Sequence, residues 1–362
     1  MDRSKWEYKK LGDICEKGSS NIAQNKIEDN TGDYALYGAS GYVKSIDFYH
    51  QEQPYIGVVK DGSGVGRVNK YPAKSSLLGT MQYIFPKNGC DLGYLLYVLQ
   101  GLHLEKYKTG AAIPHIYFKD YGKCEVPFPP IADQQRIVAE LDCLNKMIAV
   151  KQEQLKEFDK LAQSIFYDMF GDECKKKFLG DFCEVGTGST PSRNNESLYY
   201  GGNIPWVKTT EVQNCNIYVT EETITKAAIE QTNCKVYPIG TILMAMYGQG
   251  KTRGQVAKLM IEAATNQACA AIIPNDKECK IDFLYEYLLL SYDKIRDMAR
   301  GGNQANLNLQ LVRSIPVPLP PLSLQQQFAD KISAIEAQKE LVKQSIAETQ
   351  SLFNSRMDYF FN

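Results

Sequence analysis

The sequence predicts an α+β chain of two divergent globular domains, each followed by one long helix, the two helices pairing with each other. Three observations carry that expectation. First, the string VPFPPIADQQ (Val126–Gln135) returns as VPLPPLSLQQ (Val317–Gln326), 191 residues later (317 less 126) in a chain of 362. Self-similarity of this kind is the signature of an internal repeat. Second, the likeness extends upstream. TGAAIPHIYFKDYGKCEVPFPP (109–130) aligns without gaps on RGGNQANLNLQLVRSIPVPLPP (300–321), and LGDICE (Leu11–Glu16) matches LGDFCE (Leu179–Glu184). Third, each proline string is followed by a long stretch free of glycine with an apolar stripe.

The order along the chain is therefore variable domain, common segment, variable domain, common segment, with boundaries at 1–130, 131–170, 171–321 and 322–362. The offset between copies is 168 at the start (179 less 11) and 191 at the end, so the second variable domain is 23 residues longer. Short apolar runs rich in Val, Ile and Tyr read as strands: PYIGVV (54–59), MQYIF (81–85), TILMAMY (241–247) and ACAAII (268–273). LGYLLYVLQGL (92–102) and DFLYEYLLLSYDKIRDMA (282–299) have helical length and periodicity.

Proline forbids helix continuation upstream, so each long helix must begin after its proline string. Ser323 with Gln326 fits a capping box, while the first copy has Ala132 in the serine's place. In the second copy a 4-3 spacing picks out Phe328, Ile332, Ile335, Lys339, Val342, Ile346, Thr349, Phe353, Arg356 and Phe360. In the first it picks out Ile137, Leu141, Leu144, Ile148, Lys151, Leu155 and Phe158, then Leu161, Ile165 and Met169 after a register slip. This is a coiled-coil seam. Forty residues of helix span roughly 60 Å, and a stripe that long needs a partner; the other copy is the obvious one. The plainer alternative packs each helix on its own domain. Lys151, Lys339 and Arg356 interrupt the stripe, either fixing register or snorkelling to solvent.

Composition is that of a soluble globular protein, 44% hydrophobic and 23% charged. No apolar run approaches the length of a membrane helix, and the first ten residues lack the apolar centre of a signal peptide. A cytoplasmic location is expected. The ten cysteines show no Cys-x-x-Cys pair and are expected to be free, mostly buried thiols. Net charge is −1. The segments 131–170 (seven acidic, five basic) and 322–362 (five acidic, four basic) sum to −3, which leaves +2 for the rest. That balance permits nucleic-acid binding without demonstrating it.

Two divergent domains, each followed by P-x-P-P-hydrophobic-x-x-Q-Q and a long helix, resemble the specificity subunit of type I restriction–modification systems. GNIPWVKTTEV (202–212) and ATNQACAAIIP (264–274) are similar to segments of that family's target-recognition domains. The resemblance implies two target-recognition domains in pseudo-twofold arrangement, separated by two antiparallel helices that form a coiled coil. It implies that each domain reads one half of an asymmetric, bipartite site on double-stranded DNA. It further implies docking of two methyltransferase subunits and of restriction subunits, with no membrane involved. S-adenosylmethionine, ATP and Mg are then expected on those partners, and no cofactor on this chain. Two rivals stand beside this reading: the recognition portion of a fused restriction–methylation enzyme, and a coiled-coil adaptor that binds no DNA.

Catalytic motifs do not stand out. GQGKT (Gly248–Thr252) ends like a P-loop, but Ala245 stands where the first glycine is required, and a strand follows instead of a helix. GSGVG (62–66) is a lone glycine loop, and the two Pro-Pro pairs lack the flanking polar and aromatic residues of an amino-methyltransferase motif. Base reading needs Arg or Lys for guanine and Asn or Gln for adenine, presented where glycine lets backbone approach closely. The candidates for DNA contact are Tyr42, Lys44, Lys60, Ser63, Arg67, Lys108 and His115 in the first domain. In the second they are Lys208, Thr209, Gln249, Lys251, Arg253, Asn303, Gln304 and Asn306. The competing account of GGNQANLN (301–308) is an Asx-rich turn capping the next element.

Overall fold

Each proline string ends where a forty-residue helix begins, Ile131–Phe170 in the first copy and Leu322–Phe361 in the second. The fold comes from a computed structural model that describes residues 3–110, 114–171, 174–248, 250–299 and 306–362. The carbonyl of Pro130 accepts from the N–H groups of Asp133 and Gln134, and that of Pro321 from Leu324 and Gln325. A helix N-terminus has orphan donors rather than orphan acceptors, so a proline can precede it at no cost. The capping box expected at Ser323 is not built: Ser323 lies inside the helix, one residue past its start.

The chain divides into two compact units. Unit 1 is Met1–Glu153 with Lys343–Asn362, and unit 2 is Gln154–Val342. The boundaries thus fall inside both long helices, so each unit holds one variable domain and a stretch of both helices. In unit 1, Lys151 Nζ donates to Ser345 Oγ (2.7 Å) and Thr349 Oγ1 (2.8 Å), and Arg356 Nη2 to Glu140 Oε2 (3.0 Å). In unit 2, Lys339 Nζ meets Asp159 Oδ1 at 2.8 Å, and the Phe166 and Phe328 rings meet edge-on at 5.7 Å. Rising numbers on one helix pair with falling numbers on the other, so the helices are antiparallel within each unit. All three polar seam residues bond to the opposite helix. Their counterparts at the offset of 191 are Val342, Ile148 and Ile165, so the polar contacts do not repeat.

The seam also corrects the expected slip. Leu161 is exposed and Ala162 is buried. Phe158, Ala162, Ile165 and Met169 continue the 4-3 spacing without interruption. The larger apolar neighbour draws the eye in sequence, but the close approach of two helices selects the small one.

The two variable domains share one strand plan. Unit 1 has a four-stranded antiparallel sheet in the order Cys15–Ser19, Met81–Pro86, Tyr55–Val59, Val68–Tyr71. It also has a three-stranded sheet in the order Gly41–Ile46, Tyr34–Gly38, Ser76–Leu77, whose last pair is parallel. Unit 2 repeats the first as Cys183–Thr187, Cys269–Pro274, Ile242–Ala245, Val256–Leu259, then adds Cys215–Ile217 at the edge. It repeats the second as Glu222–Ile224, Tyr200–Val207, Ala263–Thr265, then adds Val236–Tyr237. Fourteen residues separate Val207 from Glu222 where two separate Gly38 from Gly41, and seventeen separate Ile224 from Ile242 where eight separate Ile46 from Tyr55. Nearly all of the 23-residue difference lies in these two insertions, which carry the extra strands.

In each unit one short helix packs between the larger sheet and the long helices. Leu92–Gly101 buries Tyr94, Leu95 and Val98 against Ile137, Leu141 and Phe360. Ile281–Leu290 buries Phe283, Leu284 and Leu288 against Phe328 and Ile332. The single helix expected over 282–299 is two, Ile281–Leu290 and Tyr292–Met298. Ser291 between them sits in the bridge region (φ −92°, ψ 5°).

The repeated glutamine now has a reason. Gln134 is fully buried. Its Oε1 accepts from the Asp91 N–H (2.8 Å), and its Nε2 donates to the carbonyls of Gly89 (3.0 Å) and Pro129 (2.9 Å). Gln325 does the same with the Lys280 N–H (2.8 Å) and the carbonyls of Glu278 (3.0 Å) and Pro320 (2.8 Å). One amide thus ties the start of the long helix, its proline entry and the start of the short helix. The second glutamine of each pair, Gln135 or Gln326, is exposed. The ten cysteines form no disulfide: five are buried, four half-buried, and Cys143 is exposed. Among the described residues no helix is long and apolar enough to cross a membrane.

Candidate nucleic-acid interface

The alignable segment before each proline string does one repeated structural job. Ile116 and Leu307 occupy equivalent places (offset 191), and both are buried. The Ile116 N–H donates to the Lys60 carbonyl (2.9 Å) and the Leu307 N–H to the Met246 carbonyl (2.9 Å). Lys60 and Met246 are the first residues after strands Tyr55–Val59 and Ile242–Ala245, where each glycine-rich turn starts. The chain arriving at Ile116 or Leu307 is thereby fastened to the turn.

The turns themselves are built alike. In unit 1, Val59 N–H donates to Arg67 and Gly66 N–H to Val59; in unit 2, Ala245 N–H donates to Gln255 and Gly254 N–H to Ala245, all at 2.9 Å. Gly66 and Gly254 share the left-handed backbone (φ 90° and 86°). A Cβ on Gly66 would lie 2.6 Å from the Glu105 nitrogen, so glycine is required there twice over.

In unit 1 this construction gathers most of the expected contact residues. Ser63 and Arg67 are exposed on the turn, and Lys60 is partly exposed beside Asp61. Gly62 N–H donates to Pro114 (2.9 Å), and Thr109 and His115 exchange two hydrogen bonds at 2.9 Å. Lys108 and His115 therefore join Lys60, Ser63 and Arg67 in one loop cluster. Tyr42 and Lys44 lie elsewhere, on strand Gly41–Ile46 of the smaller sheet. Tyr42 is 62% exposed on the rim of a cavity of about 750 Å³. Lys44 spends its ammonium on the carbonyls of Ile27 (2.9 Å) and Glu28 (2.8 Å), where it pins a loop.

In unit 2, Lys251 is exposed on the turn and Arg253 is half-buried there. Arg253 Nε is shielded from solvent and has no hydrogen-bond partner. Asn306 immediately precedes the anchoring Leu307. Gln249, Asn303 and Gln304 lie outside the described residues. Asn308, in the same amide-rich run, caps helix Leu309–Arg313 by accepting from the Leu311 N–H (2.9 Å); for that residue the capping account holds.

Lys208 and Thr209 are held by internal partners. Lys208 Nζ lies between Glu221 (2.6 Å) and Glu222 (3.1 Å), and the hydrogen bonds it donates to those carboxylates raise its pKa. The Thr209 hydroxyl donates to Asn266 Oδ1 (2.9 Å). GNIPWVKTTEV is largely scaffold: Trp206, Val207 and Val212 are buried, and Trp206 Nε1 donates to the Ser189 carbonyl (3.1 Å).

Sequence reasoning passed over Lys17 and Lys119, which line a cavity of about 280 Å³ with Lys60. A lysine in a short strand reads as ordinary surface. Only the tertiary pairing of strand Cys15–Ser19 with Met81–Pro86 brings Lys17 beside the turn. For Lys119, the available signal was its place three residues after the anchoring Ile116.

Comparison with known proteins bears on the whole chain. The family described as "Type I restriction modification DNA specificity domain" matches residues 3–158 and again 171–350. The MjaIX type I restriction enzyme specificity subunit of Methanocaldococcus jannaschii is 27% identical over 191 residues, covering 51% of this chain and 42% of the relative. The EcoR124I/EcoR124II specificity subunit of Escherichia coli is 20% identical over 258 residues, covering 67% of this chain and 63% of the relative. The matched stretch thus spans less than two thirds of either relative. The crystal structure of a type I restriction–modification S subunit from M. genitalium superposes with a TM-score of 0.62 at 15% identity, over 99% of this chain and 96% of that one. With the specificity domain matched twice, over most of this chain, the chain belongs to the family of type I restriction–modification specificity subunits.

Proposed function

We propose that this protein is the non-catalytic DNA-recognition subunit of a type I restriction–modification complex. Each unit presents its glycine turn and fastened loop to one half of a split duplex site. The observation that carries this reading is the loop-on-turn construction, made twice by the same backbone hydrogen bonds but displaying different side chains. Common backbone geometry gives both units one mode of approach. Different side chains give them different sequences to read, so the site is asymmetric. Methylation of adenine and ATP-driven cleavage belong to two methyltransferase subunits and to restriction subunits, which bring S-adenosylmethionine, ATP and Mg.

Sequencing the methylated bases of a host that carries the complete system tests this reading directly. A two-part motif with unlike halves and an unread spacer is expected; a continuous or palindromic motif overturns it.

The length of the two long helices, Ile131–Phe170 and Leu322–Phe361, should set the spacer. Inserting seven residues after Ile148 and seven after Lys339 keeps the 4-3 seam in register and adds about 10 Å of helix. The preferred spacer is expected to grow by about three base pairs at 3.4 Å each, with both half-sites unchanged. An unchanged spacer removes the ruler role.

Arg253 is the turn residue best placed to test the division between units. Replacing it with alanine is expected to lower affinity for duplexes carrying the correct second half-site by about 1–3 kcal/mol and to leave discrimination at the first half intact. An equal loss on every sequence marks a phosphate contact instead.

A further inference from the structure

Three lysines converge on one cavity in unit 1 from three separate segments. Lys17 comes from strand Cys15–Ser19, Lys60 from the start of the glycine turn, and Lys119 from the segment after the anchoring Ile116. Among the described residues that line it, Asp61 is the one carboxylate, 3.7 Å from Lys60 Nζ. Lys119 Nζ lies 5.1 Å from the centre of the Tyr117 ring. Three ammonium groups against one carboxylate leave the cavity with a surplus of two positive charges. Gathering like charges around a concave wall costs free energy, which a bound anion recovers.

Among the described residues, unit 2 does not repeat the three lysines. The same strand plan and offsets place Val185 at Lys17, Met246 at Lys60 and Gln310 at Lys119. All three positive charges are absent, although the backbone construction is the same. Loss of every lysine from an otherwise repeated site separates a specialised role from general surface charge.

We propose that this cavity seats a backbone phosphate of the bound duplex, so that unit 1 carries a phosphate anchor that unit 2 lacks. The proposal rests on the DNA-recognition reading and adds a division of labour to it. A phosphate contact fixes the position of the protein on the duplex without choosing sequence. It also releases condensed counterions, so log affinity falls with log salt by about 0.9 for each phosphate neutralised.

The experiment uses the full chain in its assembled complex, with two fluorescent duplexes, the preferred site and a scrambled one, titrated across a salt series. The variant K17Q/K60Q/K119Q is expected to lower the salt slope by about one on both duplexes. It is also expected to weaken both at least tenfold in low salt while keeping the ratio between them. K17R/K60R/K119R should restore slope and affinity. K70Q/K74Q/K123Q, which removes three exposed lysines of the same unit, should leave the slope unchanged. Should the glutamine triple fail to fold, Lys119→Gln alone reads the same slope with a smaller fall.

A wild-type slope in the glutamine variant, with the sequence preference retained, overturns the anchor. Equal wild-type affinity for the two duplexes overturns the recognition reading beneath it. Inorganic triphosphate is the competing probe. If it binds the wild type stoichiometrically and not K17Q/K60Q/K119Q, while the DNA slope stays put, the cavity is a site for free anions and the proposal falls.

Discussion

Gln325→Ala is expected to lower the stability of unit 2 by about 3 kcal/mol or more. The side chain is wholly buried and makes three hydrogen bonds, one accepted and two donated. Truncation leaves the Lys280 N–H and the carbonyls of Glu278 and Pro320 without it, and each buried polar group so orphaned costs roughly 1–3 kcal/mol. Gln325→Glu should not rescue, because a carboxylate would face two carbonyl oxygens. The two tryptophans make the effect separable: Trp6 lies in unit 1 and Trp206 in unit 2, both buried. In a Trp6→Phe background, denaturant unfolding followed by Trp206 fluorescence reads unit 2 alone. The mirror experiment, Gln134→Ala in a Trp206→Phe background, should give a loss of similar size in unit 1. A loss below about 1 kcal/mol in both would show that solvent replaces these bonds and that the repeated glutamine is not the clip between helix and domain.

Glu286→Gln is expected to stabilise unit 2 at pH 8 and to do nothing at acid pH. Glu286 sits on helix Ile281–Leu290, on the wall of a cavity it shares with Lys258, Asp282, Asp330 and Glu336. Burial first, and then repulsion from Glu336, push its pKa up from 4.5 to about 7, against the opposing pull of Lys258 and Lys339. An acid whose pKa is higher in the folded state keeps its proton on folding. Its stabilising contribution is whole below the unfolded value and is lost as pH rises through the folded one. Above pH 7 the folded chain must hold a poorly solvated carboxylate that the unfolded chain exposes freely. At about 1.36 kcal/mol per pH unit, the penalty approaches about 3 kcal/mol at pH 8. The neutral glutamine removes it. The quantity to measure is the difference in unfolding free energy between variant and wild type from pH 4.5 to 8.5. It should grow from near zero through that range, and a flat difference would mean that Glu286 is solvated in the native state.

Several features were open to inspection before any coordinates. The two proline strings fixed where the long helices begin, because proline cannot lie inside a helix but can precede one. The 4-3 stripe identified the seam, since only side chains on one line along a helix can face a partner. Strands such as Tyr55–Val59 and Cys269–Pro274 announced themselves as β-branched, apolar runs between turns. The identity of the family was also legible, carried by the duplicated string and the helix behind it.

Other features depended on contacts between residues far apart in the chain, which local pattern does not encode. Gln134 looked like one polar residue among many; its function appears only when Gly89 and Asp91 are brought to it. Lys44 and Lys208 had the composition of DNA contacts, but a loop carbonyl pair claims one and two carboxylates claim the other. Leu161 is the more hydrophobic of two neighbours, yet it is exposed and Ala162 is buried, because burial follows the position on the helix and not side-chain hydrophobicity alone.

The shared strand plan of the two variable domains was beyond the sequence for a related reason. Strand pairing is made by backbone groups, so a sheet survives the replacement of nearly every side chain that once marked it. Sequence by itself thus determined the duplication, the helices and the family, all of which rest on periodic or local chemistry. Tertiary structure alone decided which lysines are spent on internal carbonyls and carboxylates and which three converge on a cavity. That decision depends on distances between segments that only folding brings together.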